Sequence, residues 1–264
     1  MSNLEHLMRP FGPWAEWYAR NEAFWAEPGG QRLLRNERAV LGPRLEQARG
    51  RFGLELSSVD AFLNAAPVGK RIYWAPSVEH AAKPSPLVCL PTALPLPDAS
   101  MDAVVLHHML ESMPSPHQVL KEAARVTSDK GRLFVVAWNP LGASRFSGRY
   151  LSALRRESRT AWRTAQQLGD WLAFVDFKVV GVHYCNFPSA FRKEGRFETL
   201  GRRYNMPLGA DSFVIEASRK GVPVQPIPVR QALGKWLPAS FTNRAGIACD
   251  GVQPGPPRAK KDGQ

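Results

Sequence analysis

His107, His108 and Glu111 place two imidazoles and a carboxylate within one turn of chain. Imidazole changes charge near neutral pH, and both group types ligate divalent ions, so the set could form an acid–base pair or part of a metal site. A bound metal lacks a third convincing ligand, and the plainer expectation is that these are rim residues of a loop with no metal. His107 or His108 is then the candidate base. A second set is cationic: Arg145, Arg149, Arg155, Arg156, Arg159 and Arg163 face a single acid, Glu157, in one segment. Arg155, Arg159 and Arg163 recur at spacing four on one helical face. That face could grip RNA phosphates or acidic lipid head groups, or simply be solvated. Cys89, Cys185 and Cys249 are the only cysteines, with no Cys-x-x-Cys pair, so neither a disulfide framework nor a paired thiol metal site is expected. Cys89 and Cys185 read as core thiols inside strands.

The elements that position these residues are short β-rich runs separated by turns or helical stretches from Leu54 onward, the texture of βα units around a mostly parallel sheet. Seven strands are expected, at about 54–59, 70–75, 86–90, 102–107, 132–138, 178–185 and 212–218. Ser115 with Pro116 at the first helical position starts a helix with Val119, Leu120, Ala123, Ala124 and Val126 on one face, ended by Asp129, Lys130 and Gly131. A second helix starts near Thr164, with Leu168, Trp171, Leu172 and Val175 facing inward. Residues 1–50 form an aromatic and helical segment. Phe11, Trp14, Trp17, Tyr18, Phe24 and Trp25 precede a core-facing stripe of Leu33, Leu34, Glu37, Val40, Leu41, Leu45 and Ala48. The tryptophans could cap an apolar substrate or cover the sheet edge. Residues 51–220 form the α/β domain, and 221–264 a basic, proline-rich tail expected to be unfolded or weakly docked.

The run from Leu94 to His117, Leu-Pro-Leu-Pro-Asp-Ala-Ser-Met-Asp followed by an apolar strand, the two histidines and a helix, strongly resembles the fourth-strand region of class I S-adenosylmethionine-dependent methyltransferases of the type-11 methyltransferase domain family. Asp98, Ser100, Asp102, Glu122, Arg125 and the turn Asp129–Arg132 carry the match. Phe213–Ser218 stands where the family's reversed seventh strand would be. The resemblance implies a Rossmann-like seven-stranded sheet with the last strand antiparallel, and S-adenosylmethionine as cofactor. It places His107 at the methionine half of that cofactor, the loop of Leu90, Thr92 and Ala93 at the adenine, Glu79 near the ribose, and Asp60 and Ala61 at the first-strand turn. The sequence departs from the family at three of these points. Leu54 to Ala66 contains no glycine, Glu79 lies beyond Pro76 and Ser77, and Leu90 replaces an aspartate. Asn139-Pro140 is similar to part of the Asn-Pro-Pro-Tyr motif of base-modifying amino methyltransferases. It follows the fifth strand rather than the fourth and continues as Leu141-Gly142, so it reads as a turn.

The chain has 264 residues, enough for one large core without disulfides, and carries a formal net charge of +12 with a pI near 10.1, which favours anionic partners. No run approaches the roughly 18 apolar residues of a membrane helix, and Ser2, Asn3, Glu5 and His6 lack the pattern of a secretory leader, so the expected compartment is the cytoplasm. The sequence therefore points to a methyltransferase acting on a small or anionic acceptor. The competing reading is a degenerate fold without cofactor that binds RNA or an acidic protein. A membrane-surface enzyme is the third.

Overall fold

The computed structural model describes residues 12–59, 62–111, 115–143, 162–187 and 196–220. Two helices come first, α1 (Gly12–Ala26) and α2 (Pro28–Leu45). Gly30 allows them to pack tightly at their junction, where an added Cβ would lie 2.3 Å from the Phe24 carbonyl oxygen. The strands follow as β1 (Gly50–Leu56), β2 (Val68–Ala75), β3 (Pro86–Val88), β4 (Met101–His107), β5 (Thr127–Trp138), β6 (Phe177–Cys185) and β7 (Ser212–Arg219). Helices α3 (Pro116–Val126), α4 (Ala165–Phe174) and α5 (Arg196–Arg203) complete the described elements. One seven-stranded sheet results, in the order β3-β2-β1-β4-β5-β7-β6. The β7 strand is antiparallel to both neighbours and the pairs from β3 to β5 are parallel.

The expected strands are all present, with shifted ends. β1 starts at Gly50 and stops at Leu56, leaving Ser57, Ser58 and Val59 in the following turn. β3 is only three residues long, so Cys89 lies just beyond it, buried. No separate turn intervenes at Asp129–Gly131. β5 begins directly at the end of α3, and its pairing runs from Met101↔Thr127 to Ala103↔Arg132, which accommodates the extra residues as a bulge. The two helices predicted between strands form as read. Pro116 occupies the first turn of α3, and Thr164 closes a capping box with Gln167 at the start of α4. Asn139 and Pro140 make a turn, with the Asn139 side chain donating to the carbonyl oxygens of Pro207 and Ala210.

The larger departure lies between the first three strands. Among the described residues no α-helix crosses from β1 to β2 or from β2 to β3; single 3₁₀ turns, Phe62–Ala65 and Val78–His80, lie in those gaps. The sheet face that crossover helices would cover is covered instead by α2. Its Leu33, Leu34, Val40, Leu41 and Leu45 share a core with Phe62, Leu63, Tyr73, Ala103, Val105 and Phe134. On the opposite face α3 and α4 pack on Leu54, Leu56, Val104, Leu106, Leu133, Val135 and Ile215. The period-two alternation of β4 and β5 supplies both cores at once.

The segment that carries the family resemblance is scaffolding at the amino end of β4. The Arg125 guanidinium donates to the carbonyl oxygens of Leu94 and Leu96 and pairs with Asp98 and Glu122, while Glu122 accepts from the Leu94 backbone N–H. Asp102 accepts from the backbone N–H groups of Arg51 and Phe52 at 2.6 and 3.1 Å, tying β1 to β4. Arg125→Ala is expected to lower stability by about 1–2 kcal/mol, because it removes the donor to two backbone carbonyls and the partner of the largely buried Glu122, while the exposed Asp98 turns to water. Urea unfolding followed by circular dichroism checks this.

Candidate functional site

His107 ends β4, and His108 follows in the left-handed region at φ 51°, fixed there by its backbone N–H bond to the Val136 carbonyl oxygen. That conformation is uncommon for a residue with a β-carbon and persists where surrounding bonds over-determine it. The turn directs both rings at one carboxylate from α2. His107 Nε2 lies 2.9 Å from Glu37 Oε2 and His108 Nε2 lies 3.1 Å from Glu37 Oε1. Glu111 completes the cluster, its Oε1 3.1 Å from His108 Nδ1 and 2.5 Å from the Trp138 backbone nitrogen. Asn186, at φ 62° just past β6, donates from Nδ2 to Glu37 Oε1 at 3.2 Å and to Ser212 Oγ at 2.8 Å. Aromatic rings wall the group in. Trp25 lies 4.9 and 5.3 Å from the two imidazoles, Phe62 lies 4.7 Å from His107, and Trp138 stacks on His108 at 4.0 Å. The expected rim loop is thus a core: Glu37 and His107 are 0% exposed, His108 1% and Glu111 4%.

Burial dominates the electrostatics, and the cluster answers it by pairing. Burial alone would raise the Glu37 carboxyl, but the His108 charge and the hydrogen bonds from both histidines hold it down at about 2. Burial would likewise lower His108, yet Glu37 and Glu111 push it up to about 9. Burial and the His108 charge together hold His107 at about 4. His108 is then an imidazolium donating to two carboxylates, and His107 a neutral ring donating from Nε2, with Nδ1 left unpaired. Neither ring faces solvent, and His108 in this state holds its proton rather than accepting one.

The remaining candidates from the sequence scatter. Asp60 and Ala61 lie outside the described residues, as do Arg145, Arg149, Arg155, Arg156 and Arg159. Glu79 is exposed on the 3₁₀ turn after β2. Leu90, Thr92 and Ala93 share the loop after β3, with Leu90 and Thr92 half-buried and Ala93 exposed. Arg163 donates to the Leu110 carbonyl oxygen and lies over the Trp171 ring. The tryptophans of α1 are core. Trp14, Trp17 and Tyr18 pack on Trp74 of β2 with centroids 6.5, 6.3 and 6.0 Å away, and Trp74 Nε1 donates to the Cys89 carbonyl oxygen.

In the arrangement described, the carboxyl edge of the sheet is closed to S-adenosylmethionine. A nucleoside there needs open space and a helix N-terminus after β1. Here indoles fill the edge at β2, β1 leads into one 3₁₀ turn, and β2 ends in Trp74-Ala75 with no acid. Open space lies beside it instead. A cavity of about 620 Å³ is lined by Arg38, Lys83, Asn64, Tyr73 and Phe62 among others. Next to it lies Glu55, which no motif in the sequence marks, a β1 carboxyl 1% exposed that accepts from the Leu63 backbone N–H at 3.0 Å. Burial pushes it up to about 7 against the charges of Lys83 and Arg38. Glu37 was legible only as a carboxylate in an otherwise apolar stripe, and Asn186 gave no signal.

Residues 54–135 match the methyltransferase domain family. The chain is 27% identical over 219 residues to the uncharacterized protein YafS of Escherichia coli K12, covering 80% of this chain and 86% of that one. It is 29% identical over 171 residues to the demethylmenaquinone methyltransferase of Renibacterium salmoninarum, covering 55% and 68% respectively. Among solved structures, a SAM-dependent methyltransferase from Archaeoglobus fulgidus superimposes with a TM-score of 0.51 at 13% identity, covering 69% of this chain and 94% of that one, which speaks to the fold.

Two outcomes follow from the buried acids. Glu37→Gln removes the counter-charge of a buried imidazolium and is expected to cost about 3–5 kcal/mol in urea unfolding. Glu55 binds its proton more tightly when folded than in the open chain, where its value is 4.5. The Glu55 contribution to stability is therefore expected to fall as pH rises from about 4.5 to about 7 and to level off above, and it should appear as the difference between the unmodified chain and Glu55→Gln across a pH series of unfolding curves.

Proposed function

From a chain that carries a class I methyltransferase domain, we propose an S-adenosylmethionine-dependent methyltransferase whose cofactor edge is closed by α1 and opens when that helix withdraws. The observation that carries the reading is the sheet order, with β7 inserted antiparallel between β5 and β6, joined to the family match over residues 54–135. The closed edge is imperfectly satisfied. Trp17 Nε1 and Trp25 Nε1, both on α1, are buried without acceptors, at a typical cost of about 1–3 kcal/mol each. A helix docked with two stranded donors is a candidate for exchange with an undocked state.

The acceptor in this reading is small and anionic and occupies the cavity lined by Arg38 and Lys83, whose Phe62 wall also contacts His107. Two cations and two aromatic rings suit a planar or phosphorylated anion. Methyl transfer from a sulfonium requires alignment more than a nucleophilic side chain, so the protein's part is to orient acceptor and donor and exclude water. No helix among the described residues is long and apolar enough to cross a membrane.

Calorimetric titration with S-adenosylhomocysteine, read together with tryptophan emission, tests the proposal. Binding should shift the emission of the α1 indoles toward that of exposed tryptophan. Loosening α1 with Trp14→Ser/Trp17→Ser should tighten apparent binding about tenfold by removing the cost of opening. Absence of heat and of thermal shift at millimolar ligand in both proteins would discard the enzyme. Strongly salt-dependent RNA binding would then promote the cofactor-free module.

A further inference from the structure

Glu37, His107 and His108 come from two elements, and among the described residues they form the group whose donor atoms converge, all within 4.8 Å of one another. We propose that these three side chains bind a divalent first-row transition metal ion, with Zn²⁺ the best match. The inference stands apart from methyl transfer and does not need it.

The geometry is close to that of a ligand set. An ion held tetrahedrally at about 2.0–2.1 Å sets neighbouring donors about 3.3 Å apart. The two carboxylate-to-imidazole distances are 2.9 and 3.1 Å, so small rotations of the rings and the carboxylate open the required hole. Both histidines present Nε2 to the same carboxylate, each to a different oxygen. Glu111 Oε1 sits on His108 Nδ1 at 3.1 Å, the carboxylate support that typically orients a metal-bound imidazole.

Ligation through both Nε2 atoms moves the His107 proton to Nδ1, which is buried without a partner here, so the support for the ion comes from geometry and the carboxylates. Glu37 and Glu111 are two buried carboxylates, and Arg163, the cation near Glu111, is only half-buried. A divalent ion that displaces the His108 Nε2 proton to solvent leaves two neutral imidazoles and takes over the pairing of both carboxylates. Asn186 Oδ1 is buried with no partner, while Nδ2 points at Glu37 Oε1. Oxygen and nitrogen of such an amide are distinguished only by their network. The network here, with Nδ2 donating to Glu37 and Ser212, fixes the orientation, so the amide supports Glu37 rather than supplying a ligand. Nitrogen and oxygen donors without thiolate favour Zn²⁺, Co²⁺ or Fe²⁺ over soft Cu⁺, and full enclosure by Trp25, Phe62 and Trp138 favours a structural ion over a catalytic one.

The test uses the full tag-free chain. Elemental analysis after purification without chelators should find about one zinc per chain, and refolding with Co²⁺ should give the intense visible bands of a four-coordinate ion. Zn²⁺ should raise the Tm of metal-stripped protein. His107→Gln, where folded, should lose the bands, and His183→Gln, away from the cluster, should keep them. Where His107→Gln does not fold, the unmodified chain decides. No bound metal, no Co²⁺ bands and no change in Tm would overturn the proposal. So would a folded His107→Gln that retains the ion.

Discussion

A carboxylate with no exposure to water holds this structure together at its centre. Glu37 is charged inside the core because two imidazoles and an amide converge on it, and those partners come from the ends of β4 and β6. Isolated, such a charge would be too costly to bury. Its pairing ties α2 to the ends of β4 and β6, where His108 and Asn186 take left-handed turns. Interior ion pairs contribute little net energy when compared with an apolar replacement, but they penalise wrong registers heavily. In this chain the ion-pair cluster and the apolar stripe of α2 meet the sheet at the same place.

That docking explains why the sheet keeps its order while two connections shrink. Parallel strands ordinarily need a helix between them, both to cover the face and to cross back. Here α2 covers the face from outside the β1–β2–β3 unit, so single 3₁₀ turns suffice between those strands. The same change removes the helix that would follow β1 and with it an anion-binding terminus. The aromatic residues of α1 then occupy the carboxyl edge. Cofactor chemistry and packing compete for one place, and in the arrangement described packing holds it.

The cavity beside this edge has the opposite character, with Arg38, Lys83, Tyr73 and Asn64 on its walls and a carboxyl, Glu55, that changes charge near neutrality behind it. Phe62 touches both regions, lining the cavity and packing on His107. A displacement of α1 or of the 3₁₀ turn carrying Phe62 would be felt on each side. The two sites share a wall rather than a set of ligands.

Local rules were enough to read the strands, the proline start of α3 and the capping box of α4 from the residues alone, because alternation, caps and turns depend on neighbours in the chain. The same is true of the Leu94–His117 pattern, whose Asp98, Asp102, Glu122 and Arg125 interlock as a scaffold. Glu37 was visible as an acid interrupting a core-facing stripe, which obliges a partner but does not name one. Only the folded chain could bring it to histidines 70 and 71 residues away, and Asn186 to Glu37 across 149. Likewise the tryptophans of α1 were plainly apolar cargo, but whether they met a ligand or Trp74 depended on how the helix crossed the sheet. Periodicity states what must be buried; the partner is settled by long-range packing, where charge, shape and available space are resolved together.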